Sequence, residues 1–493
     1  MSEIVVAKAP ATQAPAGRWR VARAVALKEW AELRRDSRLA WLFGLVFLLM
    51  LGALAFGAAQ HMRLDRERAA AAATDRALWT GQGAKNPHAA AHFGQYAFKP
   101  QSPLALADPG VDAYVGEAVW LEAHKQNEAQ FRAARDAGVG ARLGGLSFAF
   151  VLQTIMPLVA VLLGFAGFAG ERERGTLRQL MSLGASPVDI LAGKALAALG
   201  ALSVLLIPAF AAAVLATLFL ADHDFSVADQ LERLLALSFG YGLYLAGFVF
   251  LALGVSAFAK STRTALVLLL AFWLANCFLA PRVMTDVAKR VATLPTALEF
   301  RNAIAEDKKK TFGHDESHPA FVAFRDGVLA QYGVSRIEDL PVNFRGLALR
   351  KDDENGFVIF DKHFGALQAG FDAQDRLRAA PGFLFPALAM QPFSTSFSGT
   401  DSWHQYDFAT AAEAHRRRIQ TAASEDLIHN ARYGDAAYVA SRDMWERIPS
   451  FDYAAPAVSF ALSHARGDLV ALALWAVLTA ALAGFAARRL RPL

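Results

Sequence analysis

The chain has 493 residues, of which 55% are hydrophobic and 19% charged, and its formal net charge is +5. The apolar residues are collected in long blocks without charged residues, which excludes an ordinary soluble protein. No basic segment interleaved with aromatic residues lies outside these blocks, so the positive charge does not indicate nucleic-acid binding.

An amphipathic helix is predicted near the start, within residues 1–38. One stripe of a helix beginning at residue 18 would carry Trp19, Ala22, Ala26, Trp30 and Leu33. Indole rings at the level of the lipid headgroups, with Lys and Arg off the stripe, suit a membrane interface. We therefore predict a cytoplasmic tail followed by an interfacial helix anchored by Trp19 and Trp30. The alternative is a soluble amphipathic helix that packs on a partner.

Six charge-free blocks are long enough, or nearly so, to cross a bilayer, which takes about 20 helical residues. They are 39–60, 143–170, 195–221, 234–259, 264–280 and 469–487, and the fifth is the shortest. Lys and Arg are about twice as dense in 1–38, 171–194, 260–263 and 488–493 as in the other connections, and positively charged flanks stay in the cytoplasm. The sequence thus predicts an all-α membrane protein with six transmembrane helices and both termini inside.

Two long connections fall on the predicted outer side. Residues 61–142 are predicted to form a periplasmic helical hairpin, because 63–79 and 111–137 both favour helix and Gly81, Gly83 and Pro87 lie between them. Residues 281–468 are numerous enough for a periplasmic domain with its own core, and helical patterns dominate there. Cys277, the only cysteine, lies in the fifth block, so this domain must hold together by packing alone.

Residues 171–194 form a polar stretch between the second and third blocks. Gly175 breaks the preceding helix and Thr176 can cap a new one, on which Leu177, Leu180 and Met181 share a face. Gly184 ends this helix, and a further helix begins at Pro187. The pattern predicts a small amphipathic helix held crosswise between two spans, although an ordinary charged loop fits the periodicity equally well.

The order Glu171, Gly175-Thr176-Leu177, Leu180, Ser186-Pro187 and Gly193-Lys194 resembles the loop between the second and third membrane helices of type 2 ABC transporter permeases. That loop carries the coupling helix, which docks on a separate ATPase subunit. The resemblance implies ATPase coupling for Glu171, Gly175, Thr176, Leu177, Leu180 and Met181. Arg174 departs from the pattern, because the family usually has an acidic residue there. A second region, around 376–418, resembles a periplasmic module of unknown function found in a subset of these permeases.

The resemblance also implies an assembly and a location. Two permease chains, identical or closely related, would pair with two ABC ATPase subunits in the bacterial inner membrane, and export would be the favoured direction. The chain itself is expected to hold no cofactor and no catalytic site. Its one Gly-Lys pair, Gly193-Lys194, is followed by Ala195 where a P-loop needs Ser or Thr. ATP and Mg²⁺ would therefore be bound by the partner.

Some polar residues invite other interpretations. Gln153, Tyr241 and Asn276 lie within apolar blocks and either form interhelical hydrogen bonds or line a pathway. His314 and His318 have the i, i+4 spacing of two metal ligands, but Gly313 and Pro319 bracket them as a polar turn. Ser394, near His404 and Asp401, does not indicate a hydrolase, because triads are not recognised by sequence proximity.

Two alternatives to a transport subunit remain open on the sequence. One is a mechanotransmitter that uses ATP to act on a periplasmic partner without moving a substrate, as the large outer domain suggests. The other is a membrane-anchored periplasmic metal-dependent enzyme, for which His314 and His318 are the only support.

Overall fold

The computed structural model describes residues 18–136, 145–221, 224–313, 315–435 and 437–490. Most of these residues are helical. The helices are α1 (Arg18–Arg35), α2 (Ser37–Thr80), α3 (Pro87–Phe93), α4 (Asp112–Val115), α5 (Ala133–Asp136), α6 (Phe148–Glu173), α7 (Thr176–Ser182), α8 (Pro187–Leu220), α9 (Val227–Phe258), α10 (Thr262–Val291), α11 (Ala297–Lys308), α12 (Pro319–Tyr332), α13 (Phe344–Ala379), α14 (Ala387–Ser398), α15 (Ser402–Asn430), α16 (Arg442–Arg447) and α17 (Val458–Arg488). The strands are β1 (Gln95–Phe98), β2 (Ala118–Glu122) and β3 (Lys125–Gln126).

Six helices among the described residues are long and apolar enough to cross a membrane, namely α2, α6, α8, α9, α10 and α17. Each overlaps one predicted block, so the six-helix prediction is confirmed. Three of them extend furthest past the predicted boundary: α2 continues to Thr80, α10 to Val291, and α17 begins at Val458. Hydropathy marks where a helix leaves the bilayer, whereas helix-favouring Ala, Arg and Glu residues decide how far it continues.

Two of the spans contain a π-helical turn. In α6 the turn is Val151–Ile155, and in α10 it is Ala275–Leu279. A proline, Pro157 or Pro281, lies two residues after the end of each turn, and its missing N–H leaves the carbonyl four residues earlier without its helical partner. Because π turns interrupt regular packing, these are the places where α6 and α10 can bend.

Helix α9 lies at the centre of the helical bundle. Its Tyr244 and Phe248 are fully buried, and its Gly247 lies under the indole of Trp475 on α17. A Cβ at position 247 would lie 2.0 Å from Trp475 Nε1, so only glycine permits this approach. On the outside of the bundle, Trp41 and Phe219 are 82% and 81% exposed, as expected for side chains that face lipid.

The connection between α2 and α6 contains an antiparallel sheet in the order β1-β2-β3, with Gln95 opposite Leu121 and Leu121 opposite Gln126. The predicted helical hairpin in 61–142 is therefore wrong in its second half. The segment Ala118–Glu122, Ala-Val-Trp-Leu-Glu, is apolar and contains β-favouring residues, and it pairs with Gln-Tyr-Ala-Phe of β1. The extramembrane lobe consists of this sheet, α3, α11–α13, α15 and α16. Trp79 of α2 and Trp445 lie in its core.

Helix α14 leaves the lobe and returns to the bundle. Its Met390, Phe393 and Phe397 belong to the same core as the spans. A Cβ at Gly240 of α9 would lie 2.3 Å from the Phe393 ring, so this phenylalanine packs directly against the backbone of a span. Helix α14 thus attaches the lobe to the bundle by side-chain packing, in addition to the covalent connections of the chain.

Candidate coupling site

The stretch between α6 and α8 folds as a short crosswise helix. Gly175 adopts a left-handed conformation (φ 74°), which a residue with a side chain rarely adopts, and α7 begins at Thr176. The Thr176 hydroxyl donates to the Glu171 carbonyl at 3.3 Å and does not cap the helix, so its predicted capping role is wrong. Gly184, also left-handed (φ 88°), follows the helix and allows the chain to turn into α8.

The predicted apolar face of α7 is confirmed. Leu177 is buried, and Leu180 and Met181 are partly buried against the core of the bundle. The opposite face is exposed and carries Arg178, Gln179, Ser182 and Leu183. Leu183, just after the end of α7, is 84% exposed. Sequence reasoning missed this surface because it followed only the apolar periodicity.

Glu171 lies inside the chain, where its side chain is 2% exposed. Its carboxylate accepts hydrogen bonds from Lys194 of α8 at 3.0 Å and from Lys28 of α1 at 3.2 Å. Lys194 in turn lies 2.6 Å from Glu29 of α1. In this conformation Glu171 holds α1 and α8 together and is not accessible to a docked partner, unlike the exposed face of α7.

The ion pairs shift two pKa values on α1. Burial would raise the pKa of Glu29, but the ammonium groups of Lys194 and Lys28 outweigh burial and hold that pKa below its usual range. Burial would lower the pKa of Lys28, yet the carboxylates of Glu29 and Glu171 raise it well above its usual value. Lys28 and Glu29 are thus charged at neutral pH.

Arg172 and Glu173, the two residues that follow Glu171, bind the ends of two further helices. Arg172 donates to the carbonyls of Ala257 and Ala259 at the end of α9. Glu173 accepts a hydrogen bond from the backbone N–H of Thr262, the first residue of α10, at 2.9 Å. Cations at a helix C-terminus and carboxylates at an N-terminus are each stabilised by the helix dipole. Three consecutive charged residues at the end of α6, just before α7, therefore connect this part of the chain to α8, α9 and α10.

Helix α1 packs lengthwise on α8. A Cβ at Gly193 would lie 2.6 Å from both the Ala22 carbonyl oxygen and Val25 Cβ, so the glycine lets the two helices approach closely. Trp30 is half-buried beside Gly200, whereas Trp19 is 68% exposed. Trp19 is thus the more exposed of the two indoles predicted to anchor α1.

The polar residues predicted inside the spans form one hydrogen-bonded cluster. Gln153 Nε2 donates to the Tyr241 hydroxyl at 3.0 Å, and that hydroxyl lies 2.9 Å from Ser394 Oγ of α14. Ser394 donates to the carboxylate of Asp108, which belongs to the loop before α4. Burial raises the pKa of Asp108, and the hydrogen bond from Ser394 opposes that rise.

Asn276 extends the cluster to α10. Its Oδ1 accepts a hydrogen bond from the backbone N–H of Ala387 at 3.0 Å, and Tyr244 donates to the Gln153 carbonyl at 2.8 Å. That carbonyl is the one that Pro157 leaves without a helical partner. Gln153, Tyr241 and Asn276 thus make interhelical hydrogen bonds, the bonding alternative considered above. Asp108 and Ser394 were missed as members because they are distant in sequence from the spans.

The remaining candidates do not come together. His318 caps the start of α12, where its Nδ1 accepts a hydrogen bond from the Ala320 backbone N–H at 3.1 Å. His314 lies outside the described residues. His404 Nδ1 lies 2.6 Å from Asp401 Oδ1, but Ser394 is hydrogen-bonded to Asp108 and Tyr241. These contacts do not form a Ser-His-Asp triad.

Among the described residues, six helices able to cross a membrane, a leading helix packed on the third of them and a crosswise helix after the second define a multi-pass membrane protein of the type 2 ABC permease class. The chain belongs to the ABC-2 family of transporter proteins, whose family model matches residues 23–305. A second model, a domain of unknown function (DUF3526), matches residues 297–454, from α11 to just before α17. No curated protein matches the chain.

Proposed function

We propose that this chain is the membrane subunit of an ATP-driven transporter in the bacterial inner membrane. The termini and α7 would lie in the cytoplasm and the lobe in the periplasm. Two such chains, identical or closely related, would assemble with two ATPase subunits that bind ATP and Mg²⁺, and the favoured direction is export. Membership of the ABC-2 family supports the ATPase partnership. The observation that carries the proposal is the exposed face of α7, connected to three other helices.

In this proposal Arg178 and Leu183 form the surface that docks on the ATPase. Closure of the nucleotide-bound ATPase dimer would displace α7, and Glu171, Arg172 and Glu173 would pass that displacement to α8, α9 and α10. The spans would then change between two packings. Gln153, Tyr241 and Asn276 lie where α6, α9 and α10 meet α14, so their hydrogen bonds would be exchanged in that change.

The test substitutes Leu183, whose side chain makes little contact within the chain. Leu183→Asp places a charge at the centre of the proposed docking surface, and we expect ATPase activity of the reconstituted complex to fall at least tenfold. Leu298→Asp is the matched control, because Leu298 on α11 is also an exposed leucine (68%) and lies in the lobe. An ATPase complex that forms and hydrolyses ATP normally with Leu183→Asp would refute α7 as the docking site.

Mechanotransmission is a second candidate, favoured by the continuity between bundle and lobe. Helix α2 has 44 residues and spans about 66 Å. At its far end Trp79 Nε1 donates to the Trp445 carbonyl at 3.0 Å, and Arg76 donates to the Ile448 carbonyl at 2.7 Å. A continuous helix of this length would move the lobe together with the membrane-crossing part of α2. Reconstituted vesicles distinguish the two functions, because a mechanotransmitter hydrolyses ATP without accumulating any cargo.

The contacts of His318 do not support the membrane-anchored enzyme that His314 and His318 suggested. Among the described residues His318 serves as a helix cap.

A further inference from the structure

Three histidines from two separate elements meet in the lobe, away from α7 and the intramembrane cluster. His88 and His92 lie on α3, and His124 lies in the turn between β2 and β3. Their coordinating ring atoms all lie within 4.8 Å of one another, and the Nε2 atoms of His88 and His92 are 3.3 Å apart. The sequence spacing could indicate that His88 and His92 lie on one face of a helix, but it could not indicate that His124 joins them.

Local structure fixes the two histidines of α3. Asn86 caps this helix by accepting a hydrogen bond from the His88 backbone N–H at 3.0 Å, and Pro87 occupies its first turn. Ala90 and Ala91 are buried in the core of the lobe, which holds the helix in place. Residues i and i+4 share a helix face, so both imidazoles project on the same side.

The third histidine is brought to this face by a tight turn. His124 has φ 58°, in the left-handed region that residues with side chains rarely adopt. The turn is fixed to α3 by the hydrogen bond from Ala123 N to the Ala91 carbonyl (3.1 Å), and Lys308 donates to the His124 carbonyl. Unfavourable backbone conformations that surrounding contacts enforce are concentrated at functional sites.

A carboxylate orients the His124 ring. Its Nδ1 lies 3.0 Å from Asp353 Oδ1, and Asp352 Oδ2 is 3.8 Å away. Asp353 is buried on α13, within the segment that matches the domain of unknown function. A histidine that donates its Nδ1–H to a carboxylate presents Nε2 as a ligand, and this arrangement commonly supports metal-bound histidines.

We propose that His88, His92 and His124 form a binding site for a divalent transition-metal ion, with Zn²⁺ favoured by the geometry. Ligand nitrogens 2.0–2.1 Å from a tetrahedral ion are separated by about 3.3 Å, which is the spacing of the two α3 nitrogens. Three imidazoles leave a fourth position, which water can fill because His92 is exposed. The ion would join α3, the β2–β3 turn and, through Asp353, α13. It would thus connect the segment between α2 and α6 to the segment between α10 and α17.

The test measures metal bound to the full-length protein, purified in detergent with a tag that contains no histidine. After equilibration with Zn²⁺ and dialysis, we expect one zinc per chain by mass spectrometry of the metal, and a higher unfolding temperature with Zn²⁺ than with Mg²⁺. Co²⁺ substituted for Zn²⁺ should give the visible absorption of a tetrahedral site. If Cu²⁺ displaces Zn²⁺, as the general affinity order allows, the same ligands are still required.

Variants assign the ligands. The double variant His88→Ala/His92→Ala should weaken Zn²⁺ binding at least 100-fold, and Asp353→Asn should weaken it 10- to 100-fold by releasing the His124 ring. His429→Ala is the control, because His429 is an exposed histidine on α15 that pairs with Glu425 at 3.1 Å. It should bind zinc like the unmodified chain.

His92→Ala removes an exposed side chain, so its loss of zinc can be separated from misfolding by circular dichroism and size-exclusion chromatography. The proposal is overturned if the unmodified chain retains no zinc, or if the folded double variant retains as much zinc as the His429→Ala control.

Discussion

Replacing Lys194 with Met removes the cation that two carboxylates share at the α7 end of the bundle. The Lys194 side chain is 3% exposed and lies 2.6 Å from Glu29 and 3.0 Å from Glu171. Without it, Lys28 is the only cation for both carboxylates, and Lys28 itself is 41% exposed. The substitution therefore leaves an uncompensated negative charge next to the buried Glu171.

The expected cost is large because the cluster is buried. Removing one partner of a buried ion pair typically destabilises a protein by about 3–5 kcal/mol, whereas replacing both partners by neutral groups of similar size is often nearly neutral. We therefore expect Lys194→Met to lower the unfolding free energy by about 3–5 kcal/mol. The double variant Lys194→Met/Glu171→Gln, which restores charge balance, should recover most of that loss.

Equilibrium unfolding in mixed micelles, followed by circular dichroism, measures both effects. Lys260→Met is the matched control, because Lys260 is an exposed lysine near the same end of the bundle and its loss should change the unfolding free energy little. The reasoning fails if Lys194→Met is as stable as Lys260→Met, or if the double variant is less stable than the single one.

Two further predictions concern the lobe and its attachment. Phe393→Ala should lower the free energy of unfolding by about 3–5 kcal/mol, because Phe393 is buried against Gly240 and its loss leaves a cavity in the bundle. Phe383→Ala, at an exposed position, serves as control, and equal unfolding midpoints for the two variants would contradict this packing role. Burial, aided by the charges of Arg418 and Arg76, lowers the pKa of His415 from 6.5 to about 4. The unfolded chain therefore takes up this proton as the pH falls below 6.5 while the folded chain does not, so stability should fall by about 3 kcal/mol between pH 6.5 and 4. In His415→Leu that part of the pH dependence of unfolding should disappear, and an unchanged pH profile would show that the unfolding equilibrium does not depend on His415.

The spans could be predicted from sequence because a bilayer imposes a simple requirement. A helix that crosses lipid must be apolar for about 20 residues, and that property is local in sequence. The ends of α2, α10 and α17 could not be predicted in this way. Outside the bilayer a helix continues as long as its residues favour helix and its side chains find packing, as Trp79 does against Trp445.

The sheet was missed because its signal is short and its partner is remote. Tyr96 of β1 pairs with Trp120 of β2 across a connection that includes α4 and a 3₁₀ turn. Four or five residues of alternating pattern inside an alanine-rich stretch cannot outweigh the helical preference of their surroundings. Strand pairing instead depends on contacts between side chains on both strands, which a single segment does not reveal.

The full membership of the polar clusters could not be predicted from the sequence, because some members are remote from the others along the chain. Gln153, Tyr241 and Asn276 could be identified because polar residues are rare in apolar blocks. Ser394 and Asp108 join them from outside those blocks, separated from each other by 286 positions. His124 likewise joins His88 and His92 only because the β2–β3 turn folds onto α3.

Helix α9 makes contacts with other elements at both of its ends. At one end of this helix Arg172 binds the Ala257 and Ala259 carbonyls, and at the other Arg233 donates to the Pro456 carbonyl at 2.6 Å. Asp229 near the same end accepts a hydrogen bond from Val458 N, the first residue of α17. Helix α9 is unbroken over 32 residues, about 48 Å, whereas α6 and α10 each contain a π turn beside a proline. A continuous helix transmits a displacement that an interrupted helix absorbs by bending. Under the proposed function, movement of α7 would therefore reach the lobe and α17 through α9, while α6 and α10 would bend at their π turns.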